Sequence, residues 1–309
     1  MGFEEMDVGT IWLDGEFVDW ADASVHVLTH GLHYGTGVFE GVRCYETDDG
    51  PAIFRWDAHL DRLYQSADVY DMEIPFDRET LTDATTTLIR TEELPSCYIR
   101  PIAFYGYGML GLNPSDCPVQ VAIAVWPWGE YLGEEAIQEG ADVAISSWRK
   151  YGSDQIPTNA KTTGAYVNSV LASLEARGNG YLEAIVLNQE GNVAEGPGEN
   201  LFLVRDGEIF TTGLAESILD GITRRSVIEL ARDLGYTVHD QATISRGELY
   251  AADELFFTGT AAEVTPIRTV DDRPIGAGTK GPVTDEIQTR FFDVLAAPPD
   301  AYRDWFRFV

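Results

Sequence analysis

Two tight-turn hairpins near the start of this chain constrain its fold more than any other feature. In TIWLDGEFVDW, Asp14-Gly15 stands between two alternating apolar runs, the pattern of a two-residue turn whose twist matches that of paired strands. A second pair, VFEGVRCYE and PAIFRW, is joined through Asp48-Asp49-Gly50. Helical spacing follows at Leu60, Leu63, Tyr64 and Ala67, from about Asp57, and a further helix is predicted over residues 77–92. Two more strand-like runs, CYIRPIAFYGYGM and PVQVAIAVWPW, end in the punctuation of Pro127, Gly129 and Gly133. Strands and helices are mixed without a steady βαβ alternation, so the chain reads as α+β and not as a doubly wound parallel sheet. Its 309 residues exceed what one hydrophobic core organises. Two domains are therefore expected, 1–126 and 137–309, with a linker over 127–136.

The second half begins with a strand near GADVAISSW, and Val167, Val170, Leu171 and Leu174 then form a helical apolar stripe closed by Gly178. Strands AIVLN and NLFLV and the turn Arg205-Asp206-Gly207 come next. They are followed by a helix over RRSVIELARDLG ending at Gly235, the strand ELFFTG before Thr260, and a last helix over roughly 283–295. The sequence holds no internal repeat.

Charge narrows the function. The net charge of −30 arises from 51 acids against 21 bases spread over every segment, which repels phosphates and disfavours nucleic acid as a partner. Scattered acids with few lysines predict a surface kept hydrated in a halophilic cytoplasm. No apolar run approaches membrane-spanning length, so no membrane partner is expected. The start, MGFEEMDVGT, lacks the pattern of a secretion signal. Cys44, Cys97 and Cys117 are an odd set without metal-ligand spacing, which suits reduced thiols in a cytoplasmic protein without a structural disulfide.

Only three lysines are present, Lys150, Lys161 and Lys280, and Lys161 stands among small neutral residues in PTNAKTTGAYVNSV, just before a helix. An amine in a crowded neutral setting loses hydration, its pKa falls, and the free amine can form a Schiff base with a carbonyl. Two segments suit a phosphate. In LDGITRRS, Gly221 permits close backbone approach, while Ile222 and Thr223 offer amides at a helix N-terminus and Thr223 a hydroxyl. In FFTGTAAEVTP, the run Gly259, Thr260, Ala261 follows a strand and offers further amides. The glycine-rich HGLHYGTGVFEG has neither a P-loop lysine nor the dinucleotide fingerprint. Its histidines, with His26, have a spacing that a helix could use for a metal, but the glycines argue against a helix there, and no metal is expected at His26, His30 and His33. The absence of GxSxG and HExxH leaves hydrolysis a weak alternative.

Taken together, HGLHYGTGVFEGVRCY, HLDRL, YIRPIAFYGYGMLGLNP, WPWGEYLG, IPTNAKTTGAYVNS, NVAEGPGENLF, LDGITRRS and FFTGTAAEVTPI resemble, in order and nearly end to end, the bacterial-type branched-chain amino-acid aminotransferases of class IV. The resemblance implies the two-domain fold type IV of D-amino-acid aminotransferase, with a small N-terminal α/β sandwich domain and a larger C-terminal pseudo-barrel domain. It implies pyridoxal 5'-phosphate as cofactor, carried by Lys161 as a Schiff base. Tyr166 would meet the phenolic oxygen and Glu195 the pyridine nitrogen, with Glu199 the competing carboxylate in the same loop. Arg62, Ile222, Thr223 and Thr260, together with Leu219 and Gly221, would hold the phosphate end. By pattern alone Arg62 lies off the apolar stripe of its helix and reads as a surface residue. Tyr98, Thr260 and Ala261 would receive the substrate carboxylate, Arg100 the distal carboxylate of glutamate, and Tyr34, Phe39, Gly41 and Tyr131 would line the pocket. The implied reaction exchanges the amino group of leucine, isoleucine or valine with 2-oxoglutarate in a double-displacement cycle, Lys161 acting as general base, in a homodimer or hexamer. The nearest alternatives are a D-amino-acid aminotransferase and aminodeoxychorismate lyase.

Overall fold

The computed structural model describes residues 9–129 and 132–309. By their contacts these form two compact units. The first comprises residues up to Trp128 together with Ala160–Ala165 and Val294–Val309, and the second Gly129–Asn159 with Tyr166–Asp293. The chain first passes from one unit to the other between Trp128 and Gly129. The contacts differ from the expected 137–309 domain in giving the short Lys161 segment and the last residues to the first unit.

The first unit is built on an eight-stranded antiparallel sheet. Its opening hairpin, Thr10–Leu13 with Glu16–Asp19, turns through Asp14 at φ 49° and Gly15 at φ 98°, the two positive angles that such a turn demands. The Asp14 carboxylate then accepts from the Val121 amide at 2.7 Å, fixing the turn to the strand Val119–Trp126. The second hairpin pairs Val42–Thr47 with Gly50–Phe54 and turns at Asp48-Asp49, so Gly50 opens the strand. Helices Trp56–Asp68 and Arg78–Thr91 supply Leu60, Leu63, Leu81 and Leu88 to a core completed by Trp12, Ile53, Ile99 and Ile123. The second helix starts where its capping residue allows, the Asp77 side chain accepting from the Thr80 amide at 2.8 Å.

The second unit holds a nine-stranded mixed sheet in which three pairs run parallel. Ala141–Arg149 and Glu183–Leu187 are one such pair, joined through the helix Tyr166–Gly178. Leu201, Leu203, Leu255, Phe257 and Ile267 fill the core.

Two local expectations are corrected. His30–Tyr34 is a short helix despite Gly31, because one turn tolerates a glycine and Gly35, at φ 65°, closes it in the left-handed conformation. An apolar helical stripe ordinarily faces a core, but Val167, Val170 and Leu174 are 60%, 53% and 64% exposed, and the helix turns Ser169, Ala172 and Ala176 inward. Small residues let this helix lie close on the sheet, where Ala172 and Ala176 pack on Ala184 and Val186.

Candidate active site

Lys161 is held by its backbone before its side chain does anything. The segment Ala160–Ala165 runs beside Gly35–Phe39: Phe39 N–H donates to Lys161 O at 3.1 Å, Thr163 N–H to Gly37 O at 2.8 Å and Gly164 N–H to Gly35 O at 3.0 Å. Gly35 is required at this approach, since a Cβ there would come 2.6 Å from Gly164 Cα. The Lys161 amide donates to Ser66 Oγ at 2.9 Å. Its ammonium stands 5.0 Å from the centre of the Phe39 ring, with Arg62 and Arg100 among the facing charges. Burial first, and then the Arg62 guanidinium, lower the amine to about 8 against the opposing pull of Glu40 and Tyr98.

Arg62 is buried, contrary to the surface position its helical pattern suggests. The helix Trp56–Asp68 buries His59, Arg62 and Ser66 along with Leu60, Leu63 and Ala67, so its inward face is wider than the apolar stripe. Glu40, also buried, accepts from Arg62 Nε at 2.6 Å and Nη2 at 2.9 Å, and from His59 Nδ1 at 2.7 Å. A carboxylate only accepts, so His59 carries its proton on Nδ1. Burial opposes the charge on Glu40, but Arg62 and His59 outweigh it and hold the carboxyl well below the usual range. Burial pushes His59 below its ordinary value despite Glu40. Arg62 is thus fixed in orientation by a counter-charge that cannot be rehydrated.

The remaining candidates in this unit divide. Arg100 lies over the Phe39 ring at 4.9 Å and donates to Tyr98 Oη at 3.3 Å, while Gly41 leaves room for that hydroxyl, which any Cβ at this position would overlap. Phe39, Gly41, Arg62, Tyr98, Arg100 and Lys161 therefore form one neighbourhood. Tyr34 is 44% exposed and stands against His30. His30 is a fully buried, hydrogen-bonded histidine, its ring bridging Thr36 Oγ1 and Gly111 O, each at 2.7 Å. Among the described residues no cluster of side chains suited to a metal occurs. Tyr131 lies outside the described residues.

In the second unit the centre is Glu195, buried at the end of the strand Val193–Glu195. Its Oε1 accepts from Lys150 Nζ at 2.6 Å, and its Oε2 accepts from Asn200 Nδ2 at 3.1 Å and from the Leu219 amide at 3.0 Å. Asn200 also donates to Leu219 O at 2.9 Å, and its Oδ1 lies where a Cβ on Gly221 would have to be. Gly221 begins the helix Ile222–Asp233, whose N-terminus has no side-chain cap and whose Ile222 and Thr223 are buried. Thr260 and Ala261 sit in the turn between the strands Glu254–Gly259 and Glu263–Val270. Glu199 bonds within its own loop, accepting from the Gly198 amide at 3.0 Å.

The model of the class IV amino-transferases matches residues 37–270. A branched-chain-amino-acid aminotransferase of Pseudomonas aeruginosa is 50% identical over 96% of both chains, and one from Escherichia coli 46% over the same shares. The chain belongs to the class IV aminotransferase family. The crystal structure of the Escherichia coli branched-chain enzyme superposes with a TM-score of 0.94 at 46% identity, over 97% of this chain and 98% of that one. The T.th. branched-chain enzyme with pyridoxamine 5'-phosphate gives 0.94 at 48%, over 98% and 99%. The fold is accordingly type IV.

Class IV aminotransferases use pyridoxal 5'-phosphate, and the residues here suit each part of it. An aldehyde needs an amine that loses its proton near neutrality, which Lys161 supplies. A pyridine nitrogen needs a buried carboxylate, and Glu195 is one that three donors hold in place. A phosphate suits either amides at a helix start or a cation: in the second unit the uncapped start at Gly221 offers the amides, and within the first unit the braced Arg62 is a cation of fixed orientation. Sequence reasoning passed over Glu40, His59, Ser66, Lys150 and Asn200. A usable signal existed for two of them: His59 and Ser66 flank Arg62 at helical spacing, marking a polar edge on an inward face.

Proposed function

We propose that Lys161 holds pyridoxal 5'-phosphate covalently and serves as the base in an amino-group exchange between branched-chain L-amino acids and 2-oxoglutarate. Transamination of branched-chain amino acids is the activity, and the observation that carries the lysine's part in it is an amine lowered to about 8 inside a neighbourhood that also holds Arg62, Phe39, Tyr98 and Arg100. When bound, the cofactor supplies an electron sink for the pair left on the substrate α-carbon. Lys161 Nζ would take the substrate's α-proton and return it during transfer. Glu195 keeps the ring nitrogen protonated, Tyr166 donates to the phenolic oxygen, and Arg62 with Leu219, Gly221, Ile222, Thr223 and Thr260 holds the phosphate end. Tyr98, Thr260 and Ala261 bind the substrate carboxylate. Tyr34, Phe39, Gly41 and Tyr131 line the side-chain pocket, with Arg100 serving the distal carboxylate of glutamate. One methylene is worth about 1–3 kcal/mol in an apolar pocket, so leucine, isoleucine and valine are separated weakly.

The test is an assay with L-leucine, L-isoleucine and L-valine against 2-oxoglutarate, beside D-alanine and aminodeoxychorismate. Parallel double-reciprocal lines with the three branched substrates are expected, and turnover of D-alanine or aminodeoxychorismate alone would contradict the reading.

The protein is further read as a homo-oligomer, at least a dimer, of a halophilic cytoplasm. The exposed Val167, Val170 and Leu174, like the exposed Trp148, are apolar surface that a second copy would cover. No lysine is fully exposed: Lys150 is buried, Lys161 is half-buried, and Lys280 pairs with Asp285 at 2.5 Å. No helix among the described residues is long and apolar enough to cross a membrane. Light scattering should show a dimer or larger, and activity should rise toward molar potassium chloride; a monomer, or a maximum in dilute buffer, would reject the respective reading.

A further inference from the structure

Lys150 is the one buried lysine that the reaction as described does not use. The strand Ala141–Arg149 delivers it, its amide donating to Leu187 O at 2.8 Å, and its ammonium reaches Glu195 Oε1 at 2.6 Å with the Tyr151 ring 4.9 Å away. Burial pulls the pKa of this lysine down, but Glu195, aided by Tyr151 and Tyr166, more than reverses that and keeps it charged. Glu195 needs no charge for its orientation, because Asn200 and the Leu219 amide already fix Oε2, and a neutral donor would satisfy Oε1 equally well. What only an ammonium adds there is a positive potential on the carboxylate.

We infer that Lys150 is a positioning residue that keeps the proton shared between Glu195 and the cofactor's ring nitrogen on the nitrogen, by stabilising Glu195 as the carboxylate. The inference rests on the proposal that Glu195 meets that nitrogen. Lys150 touches the carboxylate directly, whereas a ring proton would be separated from the ammonium by the carboxylate oxygen between them. Its attraction to the carboxylate therefore exceeds its repulsion of the proton, and the ionised pair is favoured over the neutral one. No bond to carbon changes; one proton has two possible holders, and Lys150 decides between them. Without the ammonium the carboxylate becomes the stronger base, the ring nitrogen loses its proton, and the electron sink weakens.

The experiment loads the full-length parent, Lys150→Met and Lys150→Arg with pyridoxal phosphate labelled with 15N at the ring, verifies attachment to Lys161 by borohydride reduction and peptide mapping, and records the ring-nitrogen resonance with kcat and KM for leucine. The parent and Lys150→Arg should show a protonated ring nitrogen. Lys150→Met should move toward the unprotonated value, with kcat lower by roughly tenfold, the equivalent of about one pKa unit, and KM little changed. Should Lys150→Met not fold, Lys150→Gln, which keeps a donor without a charge, takes the same reading. A ring resonance unchanged in the neutral variant overturns the inference, whether kcat is kept or falls, because a fall would then mark a purely structural pair. A parent that takes up no cofactor on Lys161 overturns the inference and the functional reading together.

Discussion

Two lysines, one in each compact unit, are drawn out of water, Lys150 fully and Lys161 in part, and come out with opposite chemistry. Around Lys161 the nearest strong charges include Arg62 and Arg100, and the carboxylate of Glu40 is already spent on Arg62 and His59, so burial lowers the amine to about 8. Lys150 faces Glu195 at 2.6 Å, and the pair holds it as an ammonium above its ordinary value. Burial makes a lysine adjustable; the partner decides the direction. One unit therefore carries an amine that loses its proton near neutrality and the other a fixed positive charge, from the same residue type.

That contrast can be broken at either lysine. The largest effect is expected from Lys161→Ala, which should lower leucine turnover by about 10⁴-fold or more, since the covalent link and the base go together. Next, Lys150→Met leaves Glu195 buried without its counter-charge and should destabilise the cofactor-free protein by about 3–5 kcal/mol, whereas Lys161→Met should raise its stability at neutral pH. The sign follows from Lys161 lying at about 8 when folded and at its ordinary 10.5 when unfolded. The cost of the buried ammonium is complete below 8 and fades as pH rises toward 10.5, so the gain from Lys161→Met should fade over the same window. Denaturant unfolding of both variants at pH 7 and pH 10 checks the pair, and equal losses at pH 7 would erase the contrast.

Smaller effects sharpen it. Capture of pyridoxal phosphate by the cofactor-free protein should accelerate about tenfold from pH 7 to pH 9 as the amine is freed, and then level off. A rate still climbing steeply beyond pH 9 would mean an ordinary lysine. Arg62→Lys should weaken cofactor affinity by several-fold to about tenfold, because an ammonium cannot reproduce the two-point bracing by Glu40 that fixes the guanidinium. Equilibrium dialysis measures this, and unchanged affinity would detach Arg62 from the phosphate.

Much of the architecture was legible because it is written in short-range signals. Asp14-Gly15 and Gly235 at φ 93° each act within a few residues of themselves, and the elements they bound fall where expected. Lys161 was legible for the same reason, since its small neutral neighbours are adjacent in the chain. The pairings that tune the site were not. Lys150 and Glu195 are separated by 45 positions and Glu40 and Arg62 by 22, and no local pattern announces a buried ion pair across such a gap. Arg62 reads as a surface residue because the apolar stripe marks only part of its helix's buried face. The helix Tyr166–Gly178 misleads in the opposite sense: its apolar stripe is outward, and its close contact with the sheet is carried by serine and alanine, which hydrophobicity ranks low.

The most direct test is to reduce the purified holoprotein with borohydride and locate the pyridoxyl group by peptide mass spectrometry. With only three lysines to choose among, the modification should appear on Lys161 in near-stoichiometric amount and be absent from Lys150 and Lys280. A pyridoxyl group on Lys150 would contradict the account, because the lysine held as an ammonium by Glu195 would then be the nucleophile.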